Sequence, residues 1–220
     1  DAAGNVLTVT DSNKNITTYQ YDNMNRVVKV IDALSGVTTY TYNNAGDLLS
    51  STNALGYTVS YTYDAYGNKL TETDARGNIT TYTYDANGNL LTVKDALNNV
   101  TTYTYDSRNL LVSVTNAKNQ TVTYGYDALG RQISVTDAKN NTSYTTYDGV
   151  GNVLTVTDAK GNVISTTTYN ELNLAETVTD AAGNTTTYQY NNIGKPEIVT
   201  DSLGNRQQYW YDNSGNNIKV

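Results

Sequence analysis

Apolar residues recur along the chain in short alternating runs and never in helical stripes. Segments such as Leu90-Leu91-Thr92-Val93 and Val100-Thr101-Thr102-Tyr103-Thr104-Tyr105 are rich in β-branched and aromatic residues. They alternate with a period of two and are too short for amphipathic helices, so they predict strands. Leu7/Val9, Val28/Val30, Leu91/Val93, Val112/Val114, Ile133/Val135 and Leu154/Val156 fall on one face. Tyr19/Tyr21, Tyr40/Tyr42, Tyr61/Tyr63, Tyr82/Tyr84, Tyr103/Tyr105, Tyr124/Tyr126, Tyr188/Tyr190 and Tyr209/Tyr211 form the matching ladder on the following strands. Thr81/Thr83 and Thr102/Thr104 occupy the other side. The pattern predicts an antiparallel meander with one apolar-aromatic face and one hydroxyl-rich face.

Between these runs stand regular turns. Asp1, Asp22, Asn43, Asp64, Asp85, Asp106, Asp127, Asp148, Asn170, Asn191 and Asp212 open one series. Asp11, Asp32, Asn53, Asp74, Asp95, Asn116, Asp137, Asp158, Asp180 and Asp201 open the other. Three residues after each comes Gly or Asn in 19 of 21 cases, Lys14 and Ser35 being the exceptions. An Asx side chain accepts a local backbone hydrogen bond, and Gly or Asn tolerates the left-handed conformation. The combination fits a type I turn followed by a left-handed residue.

Tyr followed by Asp or Asn recurs every 21 residues from Tyr21 to Tyr147, slips by one at Tyr169, then resumes at Tyr190 and Tyr211. Residues 1–220 therefore read as a single tandem array of about ten and a half repeats. A flat sheet of that many strands would be roughly 100 Å wide at ~4.8 Å per strand. Strand twist of about 20° exceeds a full turn over that width, so the sheet is expected to coil into a spiral or superhelical β-solenoid. The extra residue between Asp158 and Asn170 fits a β-bulge.

Composition narrows the function. The chain has no His and no Cys, which removes Ser/His/Asp and Cys/His catalytic sets, zinc sites of those ligands and disulfides. The formal charge of −7 opposes nucleic acid and anionic membranes as partners. No apolar run is long enough to span a bilayer as a helix. Without an initiator Met or a signal peptide, and with no polar cap at either end, the chain is expected to be a segment of a longer one.

Tyr63-Asp64-Ala65-Tyr66-Gly67, Thr73-Asp74-Ala75-Arg76-Gly77-Asn78 and Thr81-Tyr82-Thr83-Tyr84-Asp85 resemble the YD-repeat, or Rhs-repeat, family across the whole chain. The resemblance implies spiralling β-sheet shells, of the kind that enclose toxin domains in bacteria and form barrels in teneurin ectodomains, in a secreted or cell-surface setting. The Asp-Pro-x-Gly-Leu terminus of the Rhs core is absent, and Pro196 is the single proline. The near-invariant spacing is more expected of a uniform rod than of a cocoon with specialised ends.

The candidate chemistry is structural. Five of the 21 turn positions are Asn, so hydrogen-bond acceptance and not charge is the shared property, and turn capping outweighs calcium binding. The tyrosine ladder reads as packing, with the phenolic hydroxyls used on turns or backbone since Phe is absent. Asn15, Asn78, Asn99, Asn119, Asn140, Asn141 and Asn184 lie in Asn-x-Ser/Thr triplets, candidates for glycosylation that also arise wherever a turn Asn meets a strand Thr. Glu72, Glu171, Glu176 and Glu197, with Asp47, are the carboxylates outside the repeating turns, and no two share an acid/base spacing. No catalytic, cofactor-binding or metal-ligating residue is predicted. The expectation is an extracellular structural protein that extends into a fibre by pairing with more of the same. A shell segment enclosing a toxin and a glycan-binding adhesin using Tyr57 or Tyr66 are the alternatives.

Overall fold

The computed structural model describes residues 1–212 and 214–220. Among them it contains strands and turns and no helix. The chain divides into two compact units, 1–109 with 115–119, and 110–114 with 120–220. β11 (Leu111–Thr115) crosses that division.

The first unit holds β1 (Thr8–Thr10), β2 (Ile16–Tyr21), β3 (Val27–Ile31), β4 (Val37–Tyr42) and β5 (Leu48–Thr52). It continues with β6 (Thr58–Tyr63), β7 (Lys69–Thr73), β8 (Ile79–Tyr84), β9 (Leu90–Lys94) and β10 (Val100–Tyr105). Each strand pairs antiparallel with its neighbour in sequence. The second unit repeats the scheme with β12 (Thr121–Tyr126), β13 (Gln132–Thr136), β14 (Thr142–Tyr147), β15 (Val153–Thr157) and β16 (Val163–Tyr169). β17 (Ala175–Asp180), β18 (Thr185–Tyr190), β19 (Pro196–Thr200) and β20 (Arg206–Gln208) follow, and β21 (Trp210–Tyr211) pairs with β22 (Asn217–Lys219). The architecture is all-β, built from repeating hairpins.

The turns obey one geometry. At Asp74 the Gly77 N–H donates to the Asp74 carbonyl (2.9 Å), and the Asp74 N–H donates to the Asn78 carbonyl (2.9 Å). Gly77 sits at φ 84°. Lys14 and Ser35, the two departures from Gly or Asn, take the same left-handed conformation at φ 66° and 65°.

The hairpins are of two kinds. Those turning at the second Asx series keep a continuous register, as in Ile31↔Val37, Val30↔Thr38 and Lys29↔Thr39. Those turning after Tyr-Asp carry a shift, for example between Thr83↔Thr92 and Tyr84↔Leu90, which leaves Leu91 as an extra residue. The same bulge occurs after Tyr21, Tyr42, Tyr63, Tyr126, Tyr147, Tyr169, Tyr190 and Tyr211. The sequence pattern suggested one bulge, at the inserted residue; that one is present, between Val156↔Ser165 and Thr157↔Val163, as an addition to a regular series.

Among the described residues none is fully buried. On β4, β10 and β18 the tyrosines are half-buried while Thr41, Thr104 and Gln189 between them are exposed. β3, β5, β11 and β15 are half-buried at every position, so the expected alternation of covered and open faces fails there. In β3, β5, β9 and β15 the bulge sets two consecutive aliphatic residues against one tyrosine, and hydroxyl pairs tighten the other face. Thr62–Thr71, Thr83–Thr92, Thr146–Thr155 and Thr168–Thr177 bond across strands at 2.6–2.7 Å. Gly125 takes the place of such a threonine, and the Ser134 hydroxyl fills the space its Cβ would need.

Candidate functional site

The turn carboxylates face inward on their own backbone. Asp74 Oδ1 accepts the N–H groups of Arg76 (2.8 Å) and Asn78 (2.9 Å), while Oδ2 accepts from Asn78 Nδ2 (2.8 Å). These donors, the Asn78 side chain foremost, hold the Asp74 carboxyl below its ordinary value. The same cause lowers Asp11, Asp64, Asp85, Asp95, Asp137, Asp158, Asp180, Asp201 and Asp212. Five of the seven Asn-x-Ser/Thr asparagines occupy this position: Asn15, Asn78, Asn99, Asn141 and Asn184 each donate Nδ2 to their turn's Asp at 2.8–2.9 Å. Asn119 and Asn140 instead fill the left-handed position, at φ 58° and 64°.

On the Tyr-Asp edge, asparagine at the left-handed position links successive repeats. Asn25, Asn109 and Asn173 accept at Oδ1 from Nδ2 of Asn5 (2.8 Å), Asn89 (2.8 Å) and Asn152 (3.1 Å). Each of these three donors also bonds its own Asp, so both amide hydrogens are used.

The two tyrosines of each pair differ in role. In the first unit Tyr21, Tyr42, Tyr63, Tyr84 and Tyr105 donate their hydroxyls to the carbonyls of Val6, Val27, Leu48, Lys69 and Leu90 at 2.8–3.0 Å. In the second, Tyr126, Tyr147, Tyr169, Tyr190 and Tyr211 bond Leu111, Gln132, Val153, Ala175 and Pro196 at 2.7–3.1 Å. The reach is 15 residues everywhere except Tyr169, where it is 16 and the β16 bulge absorbs the difference. The inner members Tyr19, Tyr40, Tyr61, Tyr82, Tyr103, Tyr124, Tyr188 and Tyr209 make no such bond among the described residues. They meet the aliphatic strands instead, as in Tyr82↔Val93 and Tyr124↔Val135. Partial burial raises Tyr42, Tyr63, Tyr84, Tyr105 and Tyr190 above the ordinary tyrosine value.

Cations settle on this face. The Arg26 guanidinium lies 4.7 Å from the Tyr42 ring centroid, pairs with Asp22 (2.7 Å) and donates to the Asn43 carbonyl (2.8 Å). Arg131 repeats the arrangement with Tyr147 (4.9 Å), Asp127 (2.6 Å) and the Asp148 carbonyl (2.7 Å). Lys69 Nζ stands 4.6 Å from the Tyr82 ring, 5.6 Å from Tyr61 and 2.6 Å from Glu72. The spacing of Tyr and Asx gave no hint of these cations, although Arg26 and Arg131 share one turn position.

A shallow groove recurs between a Tyr-Asp turn and the tyrosine pair of the next repeat. It encloses about 660 Å³ at Leu70, Tyr82 and Tyr84, and about 330 Å³ at Ile133, Thr145 and Tyr147. At Glu197, Tyr209 and Tyr211 it encloses about 430 Å³. Leu70, Ile133 and Glu197 are the extra bulge residues of their hairpins. Among the described residues no group of three acidic side chains converges as a metal site.

The Teneurin YD-shell profile matches residues 2–145, well over half of the chain. The chain belongs to the YD-shell family. The RHS Repeat profile matches residues 126–166 and 169–206, its break falling inside the bulged β16. Among solved structures, the YD-shell chain resembles the crystal structure of TcdB2-TccC3-Cdc42, with a TM-score of 0.62 and 21% identity over 92% of its length. A structure of the Photorhabdus luminescens Tc holotoxin pore with a mutated TccC3 gives a TM-score of 0.61 and 21% identity over 93%. The YD-shell chain spans 13% of the length of either. No curated protein matches it.

Proposed function

We propose that this chain is a non-catalytic wall segment of a secreted or cell-surface shell, its ten and a half repeats running as one coiled array. The observation that carries the reading is the absence of any fully buried residue among those described. A self-contained enzyme domain excludes water from a core, which is the main favourable contribution to its folding. Here strand ladders, Asx turns and phenol–carbonyl bonds hold the fabric, and the tyrosine-aliphatic face is left half-covered. Such a face gains stability when further repeats or an enclosed polypeptide cover it. The Tc holotoxin likeness supports containment of a toxin as the role of the wall.

The test is limited proteolysis of the parent protein. Protection of a segment outside the repeats, lost when low denaturant opens the sheet, is the expected result. Equal digestion with and without denaturant would remove the containment role.

Within each unit the antiparallel pairing of sequence neighbours also favours a second reading, a fibre extended by further strands. Electron microscopy of the purified chain over a concentration series separates the two. Filaments that lengthen with concentration support the fibre, and discrete particles throughout support the wall. An adhesin would use Tyr57 and Tyr66, exposed at 56% and 92%, and would show glycan binding lost on their replacement.

A further inference from the structure

Three times this chain seats one of its own cations against a tyrosine ring: Arg26 on Tyr42, Arg131 on Tyr147, and Lys69 between Tyr61 and Tyr82. Each cation also has a carboxylate, from Asp22, Asp127 or Glu72. Ring face and carboxylate together attract an ammonium or guanidinium more strongly than either alone.

At Glu197 in the second unit the same recurring groove holds a carboxylate and two tyrosine rings, and among the described residues no cation pairs with that carboxylate or sits on those two tyrosines. Glu197 stands on β19 where Leu70 and Ile133 stand in their repeats, and Tyr209, Tyr211 and Trp210 line the groove with it. Backbone bonding fixes the arrangement: the Tyr209 N–H donates to the Glu197 carbonyl (2.9 Å) and the Tyr211 hydroxyl to the Pro196 carbonyl (2.7 Å). Among the described residues no lysine or arginine pairs with Glu197. Lys195, at the turn position of Arg26 and Arg131, runs along the turn edge instead, its Cε 3.6 Å from where a Cβ on Gly215 would lie. Lys219 stacks on the neighbouring Trp210 ring, with Nζ 4.6 Å from its centroid, and among the described residues it pairs with neither Glu197 nor the rings of Tyr209 and Tyr211. Glu176 occupies the equivalent bulge position one repeat earlier, also exposed and without an ion pair among the described residues.

We propose that the Glu197–Tyr209–Tyr211 groove is a recognition site for a lysine or arginine side chain on a partner polypeptide. Charge selects the occupant. An acidic or neutral segment gains nothing from an exposed carboxylate beside two rings, whereas a cationic side chain reproduces what Lys69 does beside Glu72 and Tyr82. The site needs only the fold of the second unit and stands whether the assembled protein is a shell or a fibre.

Trp210 is the single tryptophan and stands between Tyr209 and Tyr211, so its fluorescence is sensitive to binding at that strand. The full chain is titrated with tetralysine, and with tetraglutamate as the opposite charge. A saturable change with tetralysine, weakened by salt and absent with tetraglutamate, is expected. Glu197→Gln should weaken tetralysine binding at least tenfold, while Glu171→Gln, an exposed glutamate outside the groove, leaves it unchanged. A flat response to tetralysine overturns the proposal. So does equal weakening by the two variants, which would mean that tetralysine reads overall negative charge.

Discussion

Asn43 and Asp47 hold each other across one turn with acid and amide exchanged. Asn43 Oδ1 accepts the Asp47 N–H (2.9 Å), and Asn43 Nδ2 donates to Asp47 Oδ2 (2.8 Å). At Asp64 and Asn68 the same two bonds run with the acid first, at 2.9 Å each. The turn thus needs one donor and one acceptor and accepts either order. Asn43→Asp alone sets two carboxylates against each other and is expected to cost about 1 kcal/mol. The N43D/D47N double variant should recover most of that loss. Thermal denaturation of the four members of the cycle measures it; additive losses would show that the pair does not act as a unit.

The unequal roles of the tyrosines make Tyr126→Phe and Tyr124→Phe unequal. Removing the Tyr126 hydroxyl leaves the Leu111 carbonyl without its donor and is expected to cost about 0.5–1.5 kcal/mol. Tyr124→Phe keeps the ring against Val135 and should be near neutral. Urea midpoints of the two variants decide the matter, and matched losses would reduce the phenol–carbonyl bond to a bystander.

Stability should fall at both ends of the pH range. The turn aspartates have folded values below the ordinary 3.8, so the unfolded chain binds protons first. Their contribution is present above about pH 4 and is lost as pH falls through the lower folded values. Tyr42, Tyr63, Tyr84, Tyr105 and Tyr190 are raised above 10.0. Their contribution is present below about pH 10 and is lost as pH climbs through the raised values. Urea midpoints from pH 2 to pH 11 test the acid limb, and tyrosinate absorbance tests the alkaline one. A midpoint that stays level below pH 4 contradicts the first, and a single unshifted phenol titration contradicts the second.

Lys69 and Glu72 place a charge pair where other repeats carry Leu90 and Val93. Both side chains keep about a third of their exposure, so the pair is worth less than about 1 kcal/mol. Lys69→Leu alone strands Glu72 beside Tyr61 and should destabilise. The Lys69→Leu, Glu72→Val double variant, which restores the residues of the next repeat, should match or exceed the parent in melting temperature. A double variant less stable than the single one would count against this.

Turns and strands were legible because Asx, Gly and Tyr recur at fixed offsets, and even Lys14 and Ser35 follow the backbone their neighbours dictate. The regular bulges were less so. Their signature is the doubled aliphatic, as in Val27-Val28, Leu48-Leu49 and Leu90-Leu91, which reads as imperfect alternation when strands are considered singly. The cations were hidden for a different reason. Arg26 and Lys69 act through length and ring contact, and neither residue type recurs often enough to form a periodic signal. The Tyr169 hydroxyl shows how the two levels meet: an inserted residue that disturbs the count leaves the bond to Val153 intact, because β16 bulges.

Within each unit the described strand pairings join sequence neighbours, and the phenol–carbonyl bonds reach back at most 16 residues. Nothing in this fabric waits for a distant partner. Ordering can begin at any hairpin and spread outward one turn at a time, with little loop-closure entropy to overcome at each step. A growing chain can therefore set its strands as they emerge. For the same reason whole 21-residue units can be gained or lost in a lineage without mending anything elsewhere, whereas a half-unit change would put a Tyr-Asp turn on the wrong edge.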